Sequence, residues 1–178
     1  GPFDKSGFSD IVKKSRLYFT ERLDVHWGGY SQIACELLLL KSAVSRHPQG
    51  VYTYYHLLSG ADLPLKSQNE IHTFFERHAG KEFLAFDPQV SQKTRERVSL
   101  WHFFRESRLF LAEPADHILT LLQRLLGIDR LKGTGIELCK GPNWFSITDG
   151  LARCVTEHEA WIQKHFSHSV CADELFLQ

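Results

Sequence analysis

Residues 51–58 (VYTYYHLL) are rich in β-branched and aromatic side chains and lie between Gly50 and Ser59-Gly60. Such a run reads as a buried strand that empties into a loop. On its N-terminal side, residues 31–44 carry Ile33, Leu37, Leu40 and Val44 on one helical face, with Ser31 placed to cap. On its C-terminal side, Ser67-x-x-Glu70 is a capping box for a helix over 68–78 that Gly80 closes. A strand held between two helical stretches points to layered α/β architecture.

The pattern continues downstream. Residues 82–86 are a candidate strand that Asp87-Pro88 ends, and residues 90–108 fit neither period: basic at first, then aromatic with Trp101, Phe103 and Phe104. Pro114 fits the first turn of a helix whose apolar stripe is Ile118, Leu119, Leu122, Leu125 and Leu126, with Gly127 just beyond. A strand–loop–strand region over 136–147 follows. Thr148 then opens one long helix through Leu151, Val155, Ile162 and Phe166. The expected fold is a single α/β domain with a mostly parallel central sheet flanked by helices.

With 178 residues, 43% of them hydrophobic, the chain can build one sizeable core but not two ordinary ones. Twenty-one basic residues balance 21 acidic ones, so no global field favours nucleic acid or an anionic membrane, and an anionic ligand must be held by a local cluster. No uninterrupted apolar run exceeds four residues, so no segment here reads as membrane-spanning. There is no methionine, and Gly1-Pro2 reads as a scar of tag removal; the chain is expected to be a piece of a longer protein, cut at both ends. Cys35, Cys139, Cys154 and Cys171 form no C-x-x-C pair and read as four reduced thiols. Among ten histidines, His165-x-x-His168 is the one close pair near a helix end, and no third ligand sits at zinc spacing.

Ligands of open α/β sheets bind beyond the carboxyl ends of strands. Ser59, Gly60, Ala61 and Asp62 fall there, with Gly60 permitting close backbone approach and Pro64 stiffening the exit. Taken alone, that segment is equally an ordinary turn with an Asp cap. Gly-x-Ser-x-Gly, P-loop and Gly-x-Gly-x-x-Gly motifs are absent, which removes the common hydrolase and nucleoside-triphosphate readings.

Read in order, Asp4-Lys5-Ser6, residues 25–31 (VHWGGYS), 57–65 (LLSGADLPL), 140–146 (KGPNWFS) and 173–178 (DELFLQ) resemble the Core-2/I-branching enzymes. This is glycosyltransferase family 14, which also holds peptide xylosyltransferases, and the spelling is closer to its compact bacterial members. The resemblance implies a GT-A-type fold, inverting transfer from a UDP-sugar to a glycan acceptor, and no metal cofactor. No Asp-x-Asp triplet occurs to hold a divalent ion against a diphosphate. The whole chain, 1–178, is then part of a glycosyltransferase catalytic domain. In the family, basic residues from a C-terminal part stabilise the departing UDP; this chain ends at Gln178.

The resemblance also assigns roles. Asp173-Glu174 matches the family's Pro-Asp-Glu motif with Ala172 in place of proline, which makes Glu174 the general base. Asp4 falls in a His-x-Asp-x-Lys-Ser element with Pro2 where the histidine stands, and joins Trp27, Ser59, Gly60 and Asp62 as donor-binding candidates. Trp27 is either a stacking platform or core. Asp87, Lys93, Arg97, Trp144 and Asp173 are acceptor-binding candidates, with Arg95 beside them; Trp144 can pack on a sugar ring or in the core. Asp62, without an Asp-x-Asp partner, braces its loop or touches the donor sugar. UDP-GlcNAc is the first donor expected, with UDP-xylose or another UDP-sugar next. A non-catalytic carbohydrate- or partner-binding domain derived from such an enzyme is the alternative. The expected setting is bacterial polysaccharide biosynthesis in the cytoplasm, with or without membrane association, or the Golgi lumen in an animal relative.

Overall fold

A computed structural model describes residues 4, 6–8, 13 and 15–178. Gly1, Pro2, Phe3 and Lys5, which entered the reading of the N-terminal motif, lie outside the described residues. The elements run α1 (Ser31–Ser45), β1 (Tyr54–His56), α2 (Gln68–Arg77), α3 (Gln92–Ser99), α4 (Ala112–Leu125), β2 (Ser146–Thr148), α5 (Asp149–Glu157) and α6 (Glu159–Phe166). Short 3-10 turns cover Ser6–Phe8 and Ala172–Glu174.

The apolar face of α1 is the floor of the core. Ile33, Leu37, Leu40 and Val44 are buried there against Ala152 and Val155 of α5 and Ile162 and Phe166 of α6. Burying such side chains contributes about 1.5–3 kcal/mol each. Ile147 of β2 and Leu175, just past the last 3-10 turn, close the same cluster. Ser31 is the first residue of α1 rather than its cap: Tyr30 precedes the helix without a side-chain bond, and the Ser31 hydroxyl accepts from the His26 N–H at 2.8 Å.

The sheet differs from the expected one. Among the described residues it has two strands, and they run antiparallel, pairing Tyr54 with Thr148, Tyr55 with Ile147 and His56 with Ser146. The stretch 82–87 does not become a full strand. It touches the 140–146 segment at two isolated antiparallel bridges, Phe83 with Ser146 and Asp87 with Lys140. Gly141-Pro142 lies between those bridges, and a proline has no N–H to give a ladder.

The helices follow the sequence more closely. Ser67 and Glu70 form the full capping box of α2. Because α2 buries no residue, its first turn depends on that cap more than on packing. Ser67→Ala is therefore expected to cost about 1 kcal/mol, read as faster amide exchange at the start of α2. The ambiguous 90–108 stretch yields α3, capped by Ser91 through the Thr94 N–H. The expected long C-terminal helix is two helices meeting at His158, whose ring nitrogen Nδ1 lies 2.7 Å from the Cys154 carbonyl.

Helix α4 lies with its polar side inward. Ala112, Asp116, Thr120 and Gln123 are buried, whereas Ile118, Leu122, Leu125 and Leu126 are exposed. Gln123 explains the orientation: its amide bonds both the N–H and the carbonyl of Trp101, at 2.7 and 2.9 Å. All four cysteines are free thiols. Among the described residues no helix is long and apolar enough to cross a membrane, and no cluster of three or more His, Cys, Asp or Glu side chains is placed for a metal ion.

Candidate active site

The 3-10 turn Ala172–Glu174 sits where α1, α3 and the 140–143 loop meet. Cys171, which enters it, has φ +47°, a left-handed conformation that a non-glycine residue adopts only when its surroundings impose it. Those surroundings are visible. The Cys171 N–H donates to the Gly28 carbonyl at 2.9 Å, and the Val170 N–H donates to the Arg97 carbonyl at 2.9 Å. The Gly141 N–H donates to the Glu174 carbonyl at 3.1 Å. The turn is thus tied to α3, to the 26–29 loop and to the segment that carries Lys140.

Those ties place two cations on one carboxylate. Arg97 Nη1 donates to Glu174 Oε2 at 2.7 Å, and Lys140 Nζ stands 3.4 Å from the same oxygen. Burial pushes the Glu174 carboxyl upward, but the Arg97 hydrogen bond and the Lys140 charge outweigh it and hold the group below the ordinary carboxylate range. Glu174 is therefore ionised at neutral pH. Both cations meet the same oxygen, Oε2.

Arg97 also lines a cleft of about 430 Å³, together with Trp27, Lys93, Arg105, His102 and Asp116. Trp27 is 80% exposed, which rules out the core alternative and makes it an aromatic wall beside the charged one. His102 Nδ1 and Asp116 Oδ2 lie 2.9 Å apart at the cleft floor. The cleft brings Trp27, Lys93 and Arg97 together, one a donor candidate and two acceptor candidates. Arg95 is not among its walls: its guanidinium donates to Asp129 at 2.9 Å.

A second group forms at the loop after β1. Asp62 Oδ2 accepts from its own loop, the Ser59 N–H at 2.6 Å, and from Trp144 Nε1 at 2.8 Å. The Ser59 and Trp144 bonds together hold the Asp62 carboxyl below its ordinary range. Trp144 is 55% exposed, so it too is a surface ring, held in orientation by Asp62 rather than packed in the core. Apart from its chain neighbours, no atom of the described residues lies within 4 Å of where a side chain at Gly60 would begin.

The remaining candidates are placed differently. Asp4 is exposed and accepts from the Ser6 N–H and hydroxyl at 2.9 and 2.7 Å, a local turn apart from the cleft walls. The Asp87 side chain accepts from the Gln89 N–H, while its backbone pairs with Lys140, so it positions that lysine rather than facing the cleft. Asp173 turns inward. Its Oδ2 accepts from Gln32 Nε2 at 3.3 Å, and burial raises its carboxyl above the ordinary range.

Three contributors escaped the sequence reading as site residues: Lys140, Asn143 and Glu36. The first two lie inside the 140–146 motif. Glu36 had its own signal, since a carboxylate at position 36 falls on the same helical face as Ile33, Leu37 and Leu40. It is 8% exposed, and burial pushes its carboxyl up to about 8.

The sequence profile described as Core-2/I-Branching enzyme matches residues 12–178. No curated protein matches the chain in a sequence comparison.

Proposed function

The chain belongs to the Core-2/I-branching enzyme family, a family of glycosyltransferases that join a sugar donor to a glycan acceptor, and from that we propose an inverting, metal-independent transfer from a UDP-sugar with Glu174 as the general base. The observation that carries the proposal is the Glu174 carboxylate, held ionised by Lys140 and by Arg97, and Arg97 itself lines a cleft walled by charge and an aromatic ring.

The chemistry follows from that placement. An acceptor hydroxyl approaches the Glu174 carboxylate and gives up its proton as its oxygen forms a bond to the donor's anomeric carbon. The bond from that carbon to the diphosphate breaks on the opposite face, and UDP departs with the electron pair, inverting the centre. A positioned base contributes about 10²–10⁴-fold to such a step. Lys93 and Arg97 supply charged donors for acceptor hydroxyls, and Trp144, fixed by Asp62, offers a face for a sugar ring. The loop at Ser59 and Gly60, with Trp27, is assigned to the donor. A GT-A-type fold, with UDP-GlcNAc as donor and a β-1,6 linkage, is the specific form proposed.

A donor screen by UDP release from the complete protein tests this. Turnover with UDP-GlcNAc above other UDP-sugars is expected, and it should persist in EDTA. A strict Mn²⁺ requirement would remove the metal-independent part. Glycan binding with no donor-dependent UDP release would instead mark a binding domain derived from such an enzyme.

A further inference from the structure

Among the described residues, three buried side-chain oxygens from three different segments have no hydrogen-bond partner: Glu36 Oε2 on α1, Asn143 Oδ1 in the 140–143 loop and Asp173 Oδ1 in the last 3-10 turn. An unsatisfied buried polar atom costs about 1–3 kcal/mol. All three are acceptors as drawn, so the region is short of donors. The deficit is local. Gln32 bonds Asp173, and Glu36 lies one helical turn beyond Gln32 on the same face of α1, about 5–6 Å away between Cβ atoms. Asp173 acts electrostatically on Glu36, and the Asn143 side chain is its hydrogen-bonding neighbour.

We propose that Glu36 and Asp173 hold one proton between them, and that this shared proton makes Glu36 a positioning residue for the turn that presents Glu174. A proton on Glu36 adds a donor to a region whose three unpaired oxygens are all acceptors. Asp173 acts electrostatically on the buried Glu36, so two ionised carboxylates without that proton would repel and drive the turn off α1. With it, Asp173 is braced from α1 by Gln32 and Glu36 together, and Glu174, the next residue, is left to Arg97 and Lys140 on the other side.

Burial, the first cause of the upward shift at Glu36, makes it the proton's holder, although the Asn143 hydrogen bond favours its charged form. Cys35 beside it on α1 and Cys171 before the turn are both raised by burial and neutral. Arg97, Lys140 and Glu174 form their own ion cluster beyond Asp173. Glu174 opposes the charge of Asp173 and Arg97 favours it, whereas among the described residues no cation acts on Glu36. The two carboxyls titrate as a pair, with the proton resting on the more buried one.

The inference rests on the transferase reading only where it calls Glu174 the base, and its test does not need turnover. Carbon-13 NMR of the glutamate carboxyls in the full chain, with Glu36 assigned through Glu36→Gln, should show Glu36 about nine-tenths protonated at pH 7 and titrating near 8. Titration of Glu36 between about 4 and 5, the ordinary range, overturns the proposal. Glu36→Gln, a neutral donor of the same shape, should leave the Glu174 titration where it is; Glu36→Leu should move it. An equal displacement by both overturns the positioning role. Should Glu36→Leu fail to fold, the wild-type titration still decides. Loss of UDP release in the donor screen would defeat the transferase reading and leave this result untouched.

Discussion

Glu174→Gln is expected to lower donor-dependent UDP release by about 10²–10⁴-fold and to leave the melting temperature nearly unchanged. The amide keeps the size and one hydrogen-bond acceptor of the carboxylate but cannot take a proton, so the loss falls in kcat rather than in acceptor binding. The effect on stability is small because the group is 33% exposed and its ion pairs are partly solvated. Its pH dependence has a definite sign. The folded carboxyl is held below its unfolded value, so its contribution is present above the unfolded pKa and is lost as pH falls through the folded one. The variant should therefore be slightly less stable than wild type at neutral pH and match it in strong acid. Retention of more than about a tenth of wild-type turnover by Glu174→Gln would show that another group takes the proton.

That assignment came from an ordered set of motifs, and the structure shows why single elements could not have given it. Helices α1, α2 and α4 were legible because a 3.6-residue period, and in α2 a capping box, is written within a dozen residues. The sheet was not. The run 51–58 says strand, but its partner lies at 146–148, some 90 positions away, and nothing in either segment encodes the antiparallel direction. The orientation of α4 was hidden for a related reason: its burial follows from Gln123 reaching Trp101 and Asp116 reaching His102, tertiary bonds that outrank an apolar stripe. For the site, Trp27 and Arg97 are 70 positions apart and look unrelated until the Gly28 and Cys171 backbones join their segments. Glu36 was visible as a carboxylate in an apolar stripe, yet its meaning depends on Asp173, which only the folded chain brings to it.

Two glycines of the motifs then separate packing from binding. Gly141→Ala is expected to destabilise the domain by about 3 kcal/mol, near the upper end for overpacking. A Cβ there would collide with the Ala85 backbone carbonyl and with the Gln178 side chain. The side chain can move, but the carbonyl cannot without breaking one of the bridges that align 82–87 with 140–146. The melting temperature should fall by about 6–12 °C for a chain of this size. The damage should also reach the site, because Gly141 donates to the Glu174 carbonyl and follows Lys140 directly. Gly60→Ala is the control. Its φ is not in the left-handed region and, apart from its chain neighbours, no atom of the described residues lies within 4 Å of the added methyl group, so stability should stay within about 0.5 kcal/mol of wild type. If the loop after β1 holds the donor, that methyl group meets the sugar nucleotide instead, and Gly60→Ala should raise the donor KM while Gly141→Ala lowers the melting point. Equal melting temperatures for Gly141→Ala and wild type would mean that the 82–87 and 140–146 segments are not locked as described, and that the position of Lys140 beside Glu174 is not fixed by them.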